Sequence, residues 1–145
     1  MEISFKYKKL GQILIQKLRD ENYELYLERK EHTRSISHEE YKRSQISQHA
    51  SPELQKLYDE RFEFLKSLSE EQLRVLDKLV LHLLDSTAFN FLREIEENLD
   101  EDKSIGLTID GENIEKTAEE FLSGTMFGEY FLWIEKNSKY GDFQL

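Results

Sequence analysis

The sequence predicts a mainly α fold: a single-domain helical bundle of about five to seven helices, with one short strand or hairpin near residues 105–109. Three observations carry that expectation. Apolar residues recur at three- and four-residue spacing up to about residue 99, the signature of helices that bury one face. A Ser-Pro pair and several Ser-x-x-Glu or Ser-x-x-Gln boxes mark where helices start. Only one Pro and six Gly interrupt 145 residues, and a chain of this length fits one compact unit, here taken as residues 1–145.

Taken in order, Leu10, Ile13, Leu14, Lys17 and Leu18 open a first amphipathic helix that continues through Leu25 to Tyr26, with Gly11 as its weak point. The polar segment 32–50 follows, in which Ile36, Tyr41 and Ile46 are the sizeable apolar residues. Ser37-His38-Glu39-Glu40 has the form of a capping box, so this segment reads either as a loosely packed surface helix or as a mobile stretch. Ser51-Pro52-Glu53 then starts a helix whose face is Leu54, Leu57, Tyr58, Phe62 and Leu65. Ser69-Glu70-Glu71-Gln72 starts the next, the most apolar part of the chain. There Leu73, Leu76, Leu79, Val80, Leu83 and Leu84 form a stripe that Val75 and Leu81 widen, the pattern of a central helix covered on more than one side.

Asp85-Ser86-Thr87 brings three cap-forming residues together, which predicts a tight corner before Ala88, Phe91, Leu92, Ile95 and Leu99 resume a helical stripe. Ile105 to Ile109 alternates as a strand that ends at Asp110-Gly111. Because residues 112–121 read as helix, the candidate partner of that strand is the N-terminus, where Ile3, Phe5 and Tyr7 also alternate. Gly124 and Gly128 frame a loop, after which Phe127, Tyr130, Phe131 and Ile134 give a last inward-facing helix that stops at Asn137-Ser138. The tail still carries Tyr140, Phe143 and Leu145.

Composition removes several chemistries. The absence of Cys excludes disulfide scaffolds, thiolate metal centres and cysteine nucleophiles. His32, His38, His49 and His82 form none of the spacings that aim two ligands at one metal, so no metal or other cofactor is expected. The acids Glu94, Glu96, Glu97, Asp100, Glu101 and Asp102 raise calcium, but a loop starting at Asp100 would place Ile105 where the turn needs Gly and Gly111 where a bidentate Glu belongs. No run of 18 apolar residues occurs, and the start MEISFKYKKL lacks the apolar core of a leader, which leads to the expectation of a soluble, cytoplasmic protein without membrane contact. Residues 1–50 hold ten basic and eight acidic side chains, whereas residues 51–145 hold ten and 22, a balance of −12. A field of that sign repels nucleic acid and attracts basic protein surfaces.

Two local constellations remain. His82, Asp85 and Ser86 at i, i+3 and i+4 would bring an imidazole, a carboxylate and a hydroxyl together, though without the oxyanion donors that nucleophilic catalysis needs; a helix corner with Asp85 or Ser86 as cap is the simpler reading. Near the C-terminus, Trp133 and Tyr140 fall away from the inward face and close to Glu129, Glu135 and Asp142, an aromatic pair inside an acidic rim that suits a basic protein partner.

The stretch from Leu84 to Leu92, taken with Trp133-Ile134-Glu135-Lys136-Asn137-Ser138-Lys139-Tyr140, resembles small acidic bacterial proteins of the immunity-protein kind, over the C-terminal half. That resemblance implies a protein that neutralises a toxin by covering its active site, acidic because such targets are often basic nucleases; it brings no residue-level site with it. The expectation is therefore a non-enzymatic protein-binding module that meets a basic partner through Asp100, Glu101, Asp102, Trp133 and Tyr140. A homodimer or larger assembly, built on the first helix or the C-terminal aromatics, is the alternative, and an enzyme using His82 with Asp85 is the third reading.

Overall fold

The computed structural model describes residues 2–45, 50–101 and 106–141, the side chains of residues 99–101, 115 and 116 excepted. The chain is mainly helical, with one short antiparallel hairpin. Its residues cluster into two compact units, one made of Met1–Tyr23 with Lys78–Leu145 and the other of Glu24–Asp77.

The first unit begins at Ser4, whose hydroxyl accepts the Tyr7 N–H and caps α1 (Phe5–Ile15). The alternating Ile3, Phe5 and Tyr7 therefore lead into a helix and do not pair as a strand. A π-helical turn, Gln16–Asp20, follows, closed by the Glu21 N–H on the Gln16 carbonyl, and α2 (Glu21–Ser35) continues from it. The inserted π geometry breaks the 3.6-residue register, so Arg19 and Asp20 turn inward and are buried. Upstream of it, the inward face of α1 is Tyr7, Gly11 and Ile15, which leaves Ile13, expected on the core stripe, 45% exposed on the other side.

The same unit contains most of α5 (Glu70–Glu101), the hairpin of β1 (Thr108–Ile109) and β2 (Glu112–Asn113), the short α6 (Glu115–Ala118) and α7 (Met126–Asn137). The corner expected at residues 85–87 does not exist, since α5 runs unbroken through it. Asp85 is drawn into the core, and the Thr87 hydroxyl bonds back to the Leu83 carbonyl at 2.8 Å, so neither residue competes for the backbone. Asp110 and Gly111, both with positive φ, close the hairpin and pair Thr108 with Asn113 and Ile109 with Glu112. This is the primed turn that an Asp-Gly pair favours, so the strand's partner is the segment just after it and not the N-terminus. Lys6 and Lys9 of α1 tie to the hairpin through Glu112 and Asp110.

The core of this unit is aromatic: Tyr7, Phe121, Tyr130 and Trp133 pack with Ile15, Leu92 and Ile134. α1 and α7 meet where Gly11 faces Trp133, and a Cβ at Gly11 would lie 2.4 Å from the indole Cδ1. The glycine that weakens α1 as an isolated helix is what lets the ring in. Thr125 caps α7 by accepting the Gly128 N–H, and the Glu96 carboxylate of α5 accepts the Met126 N–H at 2.7 Å. Glu96 is thus a half-buried cap, not part of a solvated acidic face.

The second unit holds the rest of α2, α3 (His38–Gln45), α4 (Pro52–Ser67) and the first turns of α5. The capping signals behave as read. Ser37 and Glu40 exchange backbone hydrogen bonds, Ser51 accepts from Leu54 N with Pro52 at the first helical position, and Ser69 and Gln72 form a reciprocal box. Segment 32–50 is helical over residues 32–35, the end of α2, and over His38–Gln45; Ile46 and His49 lie outside the described residues. Tyr41 stacks on Phe62 at 4.0 Å, and burial together with its hydrogen bond to Asp59 pushes the phenol up to about 12. Arg34 closes the C-terminus of α4 by donating to the Leu65, Lys66 and Leu68 carbonyls.

Candidate functional site

Two buried polar networks lie in the first unit. In one, Arg19 is fully buried and donates from Nε to Asp85 at 2.7 Å and from Nη1 to Ser138 Oγ at 2.6 Å. Tyr130 donates to the same Asp85 oxygen at 2.8 Å. Ser138 in turn donates to Asp20 at 2.7 Å, and the Lys139 N–H reaches the other Asp20 oxygen at 2.9 Å. Burial, then the charge and hydrogen bond of Asp85, push the Tyr130 phenol up, so it stays a donor. The π turn, α5 and the end of α7 are joined by this set. Sequence reasoning missed it; the one local sign was Asp85, an acid at the end of an apolar stripe.

In the other network Glu129 is fully buried and accepts from the Tyr7 hydroxyl and from the Ser123 N–H and hydroxyl, at 3.0 and 2.8 Å. Burial pushes the Glu129 carboxyl up, but these donors outweigh it and hold it below the ordinary value. Burial and Glu129 push the Tyr7 phenol up in response. Both networks join separate segments by hydrogen bonds between packed elements, so their chemistry is structural.

The constellation at residue 82 does not assemble as an acid–base set. Asp85 is turned to Arg19 in the interior, whereas His82 lies on the exposed side of α5 with Ser86 Oγ 3.5 Å from Nε2. No group of three His, Asp or Glu side chains able to hold a metal occurs among the described residues.

The expected partner-binding residues are placed as follows. Trp133 is 1% exposed and packs on Gly11, Tyr7 and Phe121, which corrects the expectation that it stands on an outer face. Phe131, expected inside, is the ring of α7 that faces out, 44% exposed and next to Phe89 at 6.0 Å. One rotation about α7 explains both: the small surface of Gly11 draws the indole in and turns Phe131 away. Tyr140 is half-buried, edge-on to Tyr23 at 4.8 Å. Asp100 and Glu101 fall in the last turn of α5 with their side chains outside the described residues, and Asp102 lies outside them altogether.

Besides Ile13, Phe131, and Leu54 and Leu57 of α4, which are 40% and 57% exposed, the fold leaves uncovered several α5 residues that the sequence places in the core. Leu79 and Leu83 are 60% and 65% exposed, and Val75 is exposed on the same helix, while Leu73 and Leu81 are buried. At 100° per residue Leu79, Leu83, Glu94 and Glu97 fall within about 60° of arc, and all four are exposed. The two leucines and the two acids thus share one side of α5, with Ser86 and Asn90 between them and Arg93 3.9 Å from Glu97. Among the described residues no helix is long and apolar enough to cross a membrane. Comparison with known protein families, curated proteins and solved structures finds no match.

Proposed function

We propose that this chain is a non-enzymatic protein-binding module of the immunity type, which covers a basic protein partner with an apolar and acidic face of α5. The observation that carries the reading is the uncovered pair Leu79 and Leu83 in line with Glu94 and Glu97. Two adjacent leucines more than half in water are a cost that a partner would remove, at about 25 cal/mol per Å² covered. The helix end supports it as well. α5 has no basic residue in its last turn, so no cation of its own offsets the negative end of its dipole. Together with a net charge of −10, this directs attraction toward cations. The leucines supply the desolvated contact and the acids the steering, so Trp133 has no part in the surface.

The test uses the full chain as bait in its native extract, beside Leu79→Ser/Leu83→Ser and Glu94→Lys/Glu97→Lys variants, at low and raised salt. The expected result is one basic protein captured stoichiometrically, released by salt, lost with the serine variant and weakened with the lysine variant. Capture that neither variant changes would sink the proposal. So would light scattering that shows a stable dimer dissociated by the serine pair, because the leucines would then belong to a second copy of the chain.

A further inference from the structure

An open cleft of about 370 Å³ lies beside the first two turns of α1 and the C-terminal half of α7, within the range of small-molecule sites. Phe5, Lys8, Lys9 and Gln12, at i, i+3, i+4 and i+7, present one face of α1 to it, and Trp133 and Lys136 line it from α7. Its apolar wall is Ile3, Phe5, Tyr7 and Trp133; its charged groups are Lys8, Lys9 and Lys136. No carboxylate lines it among the described residues, in a chain with 30 acids against 20 bases. Several lysines outside the cleft are neutralised locally, Lys6 by Glu112, Lys17 by Glu21 and Lys30 by Asp77, while Lys42, Lys66 and Lys78 form no ion pair among the described residues. Here only Lys9 is, by Asp110; Lys8 and Lys136 form no ion pair among the described residues. Phe5, at the edge of the same cleft, is 73% exposed, the least covered ring of the apolar wall.

A site with two unpaired lysines, Lys8 and Lys136, beside an apolar wall selects by charge and by apolar surface together. We propose that this cleft binds a small amphipathic monocarboxylate, its apolar part against the accessible Ile3 and Phe5 and its carboxylate held by Lys8 and Lys136. The volume is too small for a folded partner, and the ammonium groups of Lys8 and Lys136 hold a small anionic head as point charges, without a fixed fork geometry. The proposal is independent of the α5 surface, since none of its residues lies there.

Octanoate and 1-octanol are the probes, titrated below micelle formation into the full chain by calorimetry and by the emission of Trp133, the only tryptophan. Saturable binding of one octanoate per chain is expected, with 1-octanol at least about tenfold weaker. A Lys8→Gln/Lys136→Gln variant, altered at two exposed side chains, should lose about tenfold for octanoate and little for octanol. Equal affinity for both probes would mean an apolar hole without anion recognition and would overturn the proposal. Unchanged octanoate affinity in the lysine variant, or no saturable binding at all, would do the same.

Discussion

Replacing Asp85 by Ala should be among the most damaging single changes in this protein. The carboxylate faces Arg19, which is 0% exposed and would be left with Asp20, 3.8 Å away, as its counter-charge. Removing one partner of a buried pair and stranding the other costs about 3–5 kcal/mol. Tyr130, equally buried, loses its acceptor as well, a further cost of roughly 1–3 kcal/mol that overlaps the first. A combined loss of about 4–6 kcal/mol compares with total stabilities of about 5–15 kcal/mol. In urea, with a slope of about 1–3 kcal/mol per molar, the midpoint should fall by at least about 1.3 M. The readout is Trp133 emission, which lies in the same compact unit as Asp85. Asp85→Asn keeps an oxygen for Tyr130 and loses the charge, so it should fall between wild type and Ala and remain measurable if Ala does not fold. Asp110→Ala, which breaks an exposed pair with Lys9, should change stability by no more than about 1 kcal/mol. An Asp85→Ala protein no less stable than Asp110→Ala would refute the reasoning.

Gly11→Ala should destabilise by about 1–3 kcal/mol although alanine is the better helix former, because its Cβ would sit 2.4 Å from the Trp133 ring; a melting temperature at or above wild type would mean the indole can move aside. Glu129 governs part of the acid limb. Its folded value lies below the ordinary 4.5, so its carboxylate contributes stability above about pH 4.5, and that contribution is lost as pH falls through the lower folded value. Glu129→Gln should therefore be less stable near neutrality and lose less on acidification, and stability-versus-pH curves that run parallel for the two proteins would exclude the effect.

Most helix starts were legible because a cap is local chemistry. Ser51 with Pro52, Ser37 with Glu40 and Ser69 with Gln72 each satisfy orphan N–H groups within four residues, and nothing distant changes that. The hairpin was only half legible. Asp110-Gly111 named the turn, but strands of two residues carry no alternation to identify the partner. The surface was the least legible, since Leu79 and Leu83 match the periodicity of buried leucines and only neighbouring elements decide which side of α5 is covered.

By itself the sequence determined a mainly helical chain with its capping signals, the strong acidity of residues 51–145 and the absence of thiol chemistry, all of which follow from residue types and short spacings. Tertiary structure decided the rest. Asp85 stays inside one helix because Arg19, 66 residues away, supplies its counter-charge. Trp133 goes inward because Gly11, on another helix, leaves room for a ring. Both outcomes depend on a partner from a distant segment, and no local pattern carries that information.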